Sequence, residues 1–131
     1  MLFIVALVFG CTPQKSEELI TDDIQERNDL YNETITIHNE VMPKMDQIIM
    51  ETGKLVEKIK NDSIQMDSVT RAGTQLKITK LEDAHEAMFA WMRKYGKMPH
   101  DSLGHEEIMK VLNESKQAII EVKNKVDEVL K

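Results

Sequence analysis

The chain has 131 residues, 41% of them hydrophobic and 31% charged, so it is sized for one small folded domain rather than a disordered segment. With 17 basic and 23 acidic residues it carries a net charge of -6, which argues against nucleic-acid phosphates and against electrostatic docking of the whole chain on anionic lipid. A single cysteine rules out an internal disulfide, and five glycines and three prolines leave few turns and long uninterrupted elements.

The first element is an apolar run, Leu2-Phe3-Ile4-Val5-Ala6-Leu7-Val8-Phe9, ending in Gly10-Cys11. It is too short for a hydrocarbon core that needs about 20 residues, and has the length of a signal-peptide core. Val8-Phe9-Gly10-Cys11 resembles the lipobox of bacterial lipoproteins, although Phe9 is bulkier than the usual residue at that place. The resemblance implies cleavage of residues 1–10 and diacylation (palmitate) of Cys11. Cys11 would then anchor the chain to the cell envelope, as an outer-membrane lipoprotein facing the periplasm or the surface. Thr12 to Ile20 are polar and unperiodic at first and read as a tether over residues 11–20, leaving 21–131 for the domain. Gln14-Lys15 followed by Glu17-Glu18 also resembles the surface-export signal of Bacteroidota lipoproteins.

From Thr21 to Lys60 apolar residues return at intervals of three and four: Ile24, Tyr31, Ile35, His38, Met42, Met45, Ile49, Val56 and Ile59. This spacing predicts one long helix, capped by Thr21 or Asp22. Pro43 has no amide hydrogen and crowds the preceding turn, so a kink is expected at Asn39–Pro43. A second helix is predicted over Asp67–Tyr95, with Val69, Gly73, Leu76, Leu81, Ala84, His85, Met88, Trp91, Met92 and Tyr95 on its inner face. Gly96 and Pro99 stop it. A third, capped by Asp101 or Ser102, carries Leu103, Ile108, Leu112, Ser115, Ile119, Val122, Val126 and Val129. No stretch alternates with period two. Short links make neighbours antiparallel, so the expected fold is all-α: an up-down-up three-helix bundle with a long, Pro-kinked first helix. Its oligomeric state is not set by the sequence.

No catalytic constellation occurs, and paired carboxylates sit on polar helix faces. The unusual feature is methionine beside histidine. His38, Met42 and Met45 share one helix face, as do His85, Met88 and Met92. A hairpin turn near Ser63 sets His38 by Met88 and Met42 by His85; a second turn near Met98 levels Met109 with Met88 and His105 with Met92. Thioether and imidazole are copper ligands, Cu(I) above all, and can pair axially on haem iron. The opposing reading is an ordinary core in which methionine fills gaps and no cofactor is held. Covalent haem is excluded, since no C-x-x-C-H occurs.

Asp-Ser-aliphatic occurs three times at the expected loops, at Ser63, Ser68 and Ser102. It resembles the O-glycosylation acceptor of Bacteroidota envelope proteins; Asp and Ser are also ordinary turn and cap residues.

Ile37-His38-Asn39-Glu40-Val41-Met42-Pro43-Lys44-Met45 and Ala84-His85-Glu86-Ala87-Met88-Phe89-Ala90-Trp91-Met92 look like two signature segments of short Bacteroidota lipoproteins of unknown function. Some of these are labelled "viral A-type inclusion protein". Asn39 stands where that pattern has Asp, and Phe89 where it has Met. The resemblance implies lipidation, export and a helical hairpin or bundle, and brings no activity. Three functions are open at this point. One is a non-enzymatic, membrane-anchored bundle that binds a protein partner or supports the envelope. The second is a copper-handling lipoprotein. The third is a chaperone-like bundle with an exposed Met/Trp91 face.

Overall fold

The computed structural model describes residues 14–62, 64–99 and 102–131, with side chains from Ile20 onward. Four helical segments form three rods: α1 (Gln14–Val41), α2 (Pro43–Asn61), α3 (Ser68–Tyr95) and α4 (His105–Val129). No strand occurs among the described residues. α1 and α2 make one long first rod, bent by 31° at the proline. Pro43 sits at the first position of α2, where its missing amide hydrogen costs least. Around it the Met42 amide still donates to the His38 carbonyl and the Met45 amide to the Met42 carbonyl. The fold is therefore the expected all-α up-down-up bundle with a kinked first helix.

The bend divides the labour. α1 packs chiefly on α4, α2 on α3, and α3 on α4. The main core joins Val41, Met45 and Ile48 to Leu81, Ala84, Met88 and Trp91, and to Ile119, Val122 and Val126. A smaller cluster of Leu30, Ile108 and Leu112 closes the other end of the α1–α4 contact. Glu33 with Lys116, Glu40 with Lys123 and Lys44 with Asp127 are ion pairs at one sequence separation, so α4 runs parallel to the first rod without slipping.

Several expectations need correction. The first rod buries Leu30, Thr34, Val41, Met45 and Ile48, while Ile24 and Ile49 stay about half exposed (50% and 55%). Met45 is buried on the expected line, but Leu30, Thr34, Val41 and Ile48 each lie one residue, roughly 100° of azimuth, from the expected Tyr31, Ile35, Met42 and Ile49, so the expected line forms the edge of the buried face rather than its centre. Apolar side chains stand in adjacent pairs (Leu30-Tyr31, Val41-Met42, Ile48-Ile49), and only the directions of α3 and α4 choose between them. Val69 and Leu76, expected in the core of the second helix, are 80% and 58% exposed: Leu76 only borders Val129 at the very end of α4, and Val69 lies seven residues further toward the start of α3. Thr21 and Asp22 lie inside α1, which starts at Gln14 and takes up most of the tether segment. α4 is capped by Gly104. The leader 1–10, Cys11, Ser63 and Asp101 lie outside the described residues.

α4 pairs its Asp127 with Lys44 and stops at Val129, whereas α2 continues to Asn61. At 1.5 Å per residue, the α2–α3 hairpin overhangs the end of α4 by about 20 Å. That overhang is a two-helix layer with no third rod to cover it.

Candidate functional site

The His/Met residues divide among several environments. Met88 (0% exposed) and Met45 (4%) are packed into the main core, with Met42 and Met92 partly buried against it. The half-buried His38 ring stacks on Trp91 at 5.4 Å between centroids, and its Nδ1 lies 3.0 Å from Asn39 Oδ1. The His85 ring packs on Phe89 at 4.6 Å and borders an open hollow with Ile48, Ile49, Thr52, Glu82 and Glu86. Trp91, the residue under His38, is six positions beyond His85, which offsets the two imidazoles by about 9 Å along the bundle. Each ring has its own aromatic partner. Among the described residues no group of three His, Cys, Asp or Glu side chains is placed to hold a metal ion.

Trp91 itself is 4% exposed, so the Met/Trp91 face points inward. Its Nε1 donates to the Ser115 carbonyl at 2.9 Å, tying α3 to α4 at the level where His38 meets the indole. Thr34 and Ser115 are also buried, and the Thr34 hydroxyl donates to the Leu30 carbonyl at 2.8 Å. No buried side-chain N or O atom among the described residues lacks a partner.

The second turn is not tight. Beyond α3, Met98 and Pro99 border a hollow with Ile24, Arg27 and Asn28 of the first rod. Met109 therefore joins Leu30 and Ile108 rather than standing level with Met88. His105 is carried away from Met92 to a clasp that spacing alone did not reveal. Arg27 Nε donates to His105 Nδ1 at 3.0 Å, which leaves the imidazole proton on Nε2. Nε2 faces Glu26 at 3.3 Å and Asp23 at 3.8 Å. The only signal for this clasp in the sequence is a histidine at the start of a helix beside an acidic stretch.

Of the Asp-Ser-aliphatic serines, Ser68 is exposed at the first position of α3 and Ser102 is exposed in the turn before α4. Asp67 has a structural role. Its carboxylate accepts from the Val69 and Thr70 amides at 3.0 and 2.9 Å and from Thr70 Oγ1 at 2.6 Å, capping α3. The Thr70 hydroxyl, then its amide, holds this carboxyl below the usual aspartate range. The Lys44 hydrogen bond likewise lowers Asp127, and the hydrogen bond to Glu40 raises Lys123.

The remaining unusual feature is the overhanging hairpin. Ile49, Met50, Ile64, Val69 and Leu76 are all more than half exposed there, Ile64 at 97%. No helix among the described residues is long and apolar enough to cross a membrane. Searches of protein-family models, curated proteins and solved structures found no match to the chain.

Proposed function

We propose that the chain is a lipid-anchored, non-enzymatic helical rod of the bacterial cell envelope. It holds an apolar hairpin end away from the membrane for a protein partner. The observation that carries this reading is the polarity of the rod. α1 begins three residues after Cys11, and from Gln14 to Asn61 the first rod runs about 70 Å before the uncovered hairpin. The most exposed apolar side chains, Ile64 at 97% and Val69 at 80%, lie at the hairpin end, while Ile20 and Ile24 near the start of the rod are 58% and 50% exposed; a cluster of exposed apolar side chains is a mark of an interaction surface. The Gly10-Cys11 junction and the leader before it support the anchor.

The anchor is tested by metabolic labelling with an alkyne palmitate, comparing the full chain with Cys11→Ser. The parent is expected to carry label and to fractionate with membranes, and the variant to lose both. A membrane-derived protein whose intact mass still contains residues 1–10 and no acyl chain defeats the reading.

A further inference from the structure

His105 is the first residue of α4, and its ring, 26% exposed, is gripped from both edges by α1. Arg27 Nε donates to Nδ1 at 3.0 Å, while Nε2 faces Glu26 at 3.3 Å and Asp23 at 3.8 Å. Only the neutral ring with its proton on Nε2 can serve both edges at once. Arg27 also borders the hollow that Met98 and Pro99 share with Ile24, Asn28 and Ile108. The apolar packing between α1 and α4 at this end is the small cluster of Leu30, Ile108 and Leu112.

We infer that His105 is a pH-operated clasp: in mild acid its ring takes a second proton, releases Arg27 and loosens the first turns of α4 from α1. Imidazole is the side chain whose charge ordinarily changes between about pH 5 and 8. The second proton goes to Nδ1, where it points at the Arg27 Nε–H. Two donors and two positive charges then stand 3.0 Å apart, and Arg27 must leave. Asp23, four residues before Arg27 on the same helix, offers it a new partner. The charged groups around the ring are Asp23, Glu26 and Arg27 on α1, with Glu106 and Glu107 in the first turn of α4. The carboxylates stay beside the cation, so the ring keeps one edge bound and loses the other. A cation at a helix N-terminus also opposes the dipole, which weakens the first turn of α4 itself. The inference is independent of the lipid anchor and of what the hairpin end binds.

The test is amide hydrogen exchange of the full chain at about pH 7.5 and about pH 5.5, with rates corrected for the intrinsic effect of pH. In the parent, amides at the start of α4 are expected to exchange several-fold faster at the lower pH. Among them is Ile108, whose amide donates to the Gly104 carbonyl. Amides of α3 around Leu81 and Met88, in the main core, should not change. His105→Gln is the decisive variant. Its side-chain amide can accept from Arg27 and donate to Glu26 together, as the neutral ring does, yet takes no proton. Its exchange at α4 should therefore be flat with pH. Arg27→Met keeps a long apolar stem and removes the donor, so it should show the faster exchange already at the higher pH. An equal acid response of the parent and His105→Gln overturns the inference. So does a nitrogen resonance spectrum of the parent at the higher pH that places the ring proton on Nδ1, a reading that needs no variant to fold.

Discussion

Replacing Trp91 with Phe tests the joint at which all three rods meet. The indole is almost fully buried, donates to the Ser115 carbonyl at 2.9 Å and lies under His38. Phenylalanine keeps an aromatic ring but removes the donor, a loss of about 1 kcal/mol. It also leaves a void of a few heavy atoms, which costs about another 1 kcal/mol in lost apolar burial. The expected total is about 2 kcal/mol, a sizeable part of the roughly 5–15 kcal/mol that holds a domain folded. Trp91→Ala would cost about 3–5 kcal/mol and risks unfolding the protein outright, so Phe is the variant to measure. Because the only tryptophan is lost, unfolding is followed by far-ultraviolet circular dichroism in urea. With a slope of about 2 kcal/mol per molar, the midpoint should fall by about 1 M. An unchanged midpoint would refute the claim that this indole fastens α3 to α4.

Asp67→Ala removes the α3 cap and should cost about 0.5–2 kcal/mol, read from thermal or urea unfolding, with Asp67→Asn losing less. Gly53 and Gly96 predict opposite signs: Gly53→Ala, in open space within α2, should raise stability by up to about 1 kcal/mol. Gly96→Ala should lower it, because the added Cβ falls 2.4 Å from the Met92 carbonyl oxygen. Asp127 has a folded pKa lowered chiefly by its hydrogen bond to Lys44, so its contribution is present above the unfolded aspartate range and is lost as pH falls through the folded value. Melting temperature should therefore drop less on acidification in Asp127→Asn than in the parent; the difference is modest, since Lys44 and Asp127 are 31% and 36% exposed. Equal acid sensitivity of the two proteins would contradict the pairing.

Much of this protein is written in local pattern. Three amphipathic rods, the stop at Tyr95 and the bend at Pro43 follow from apolar spacing and from one missing amide hydrogen. The fourth helix was the clearest: Ile108, Leu112, Ser115, Ile119, Val122 and Val126 are all buried on the expected stripe, because it packs against both other rods along most of its length. The first rod was ambiguous for the opposite reason. Its two halves meet different neighbours, and adjacent apolar pairs offered two stripes of similar quality.

The His/Met residues show the same limit. Spacing put His38, Met42 and Met45 on one face, and His85, Met88 and Met92 on another, but it could not set the azimuths. In the fold the thioethers of Met45 and Met88 fill the core, while each imidazole lies on an aromatic ring of its own. The clasp of His105 with Arg27 and Glu26 depends on how α4 is set beside the first rod, where Met98 and Pro99 also meet Ile24 and Arg27, and no local periodicity encodes that placement. Helix formation is decided over a few turns by propensity, capping and period. Which face is covered, and where the cover ends, is decided by the relative lengths and angles of rods far apart in the chain. That is why the uncovered hairpin beyond Val129 emerges only when the three rods are assembled.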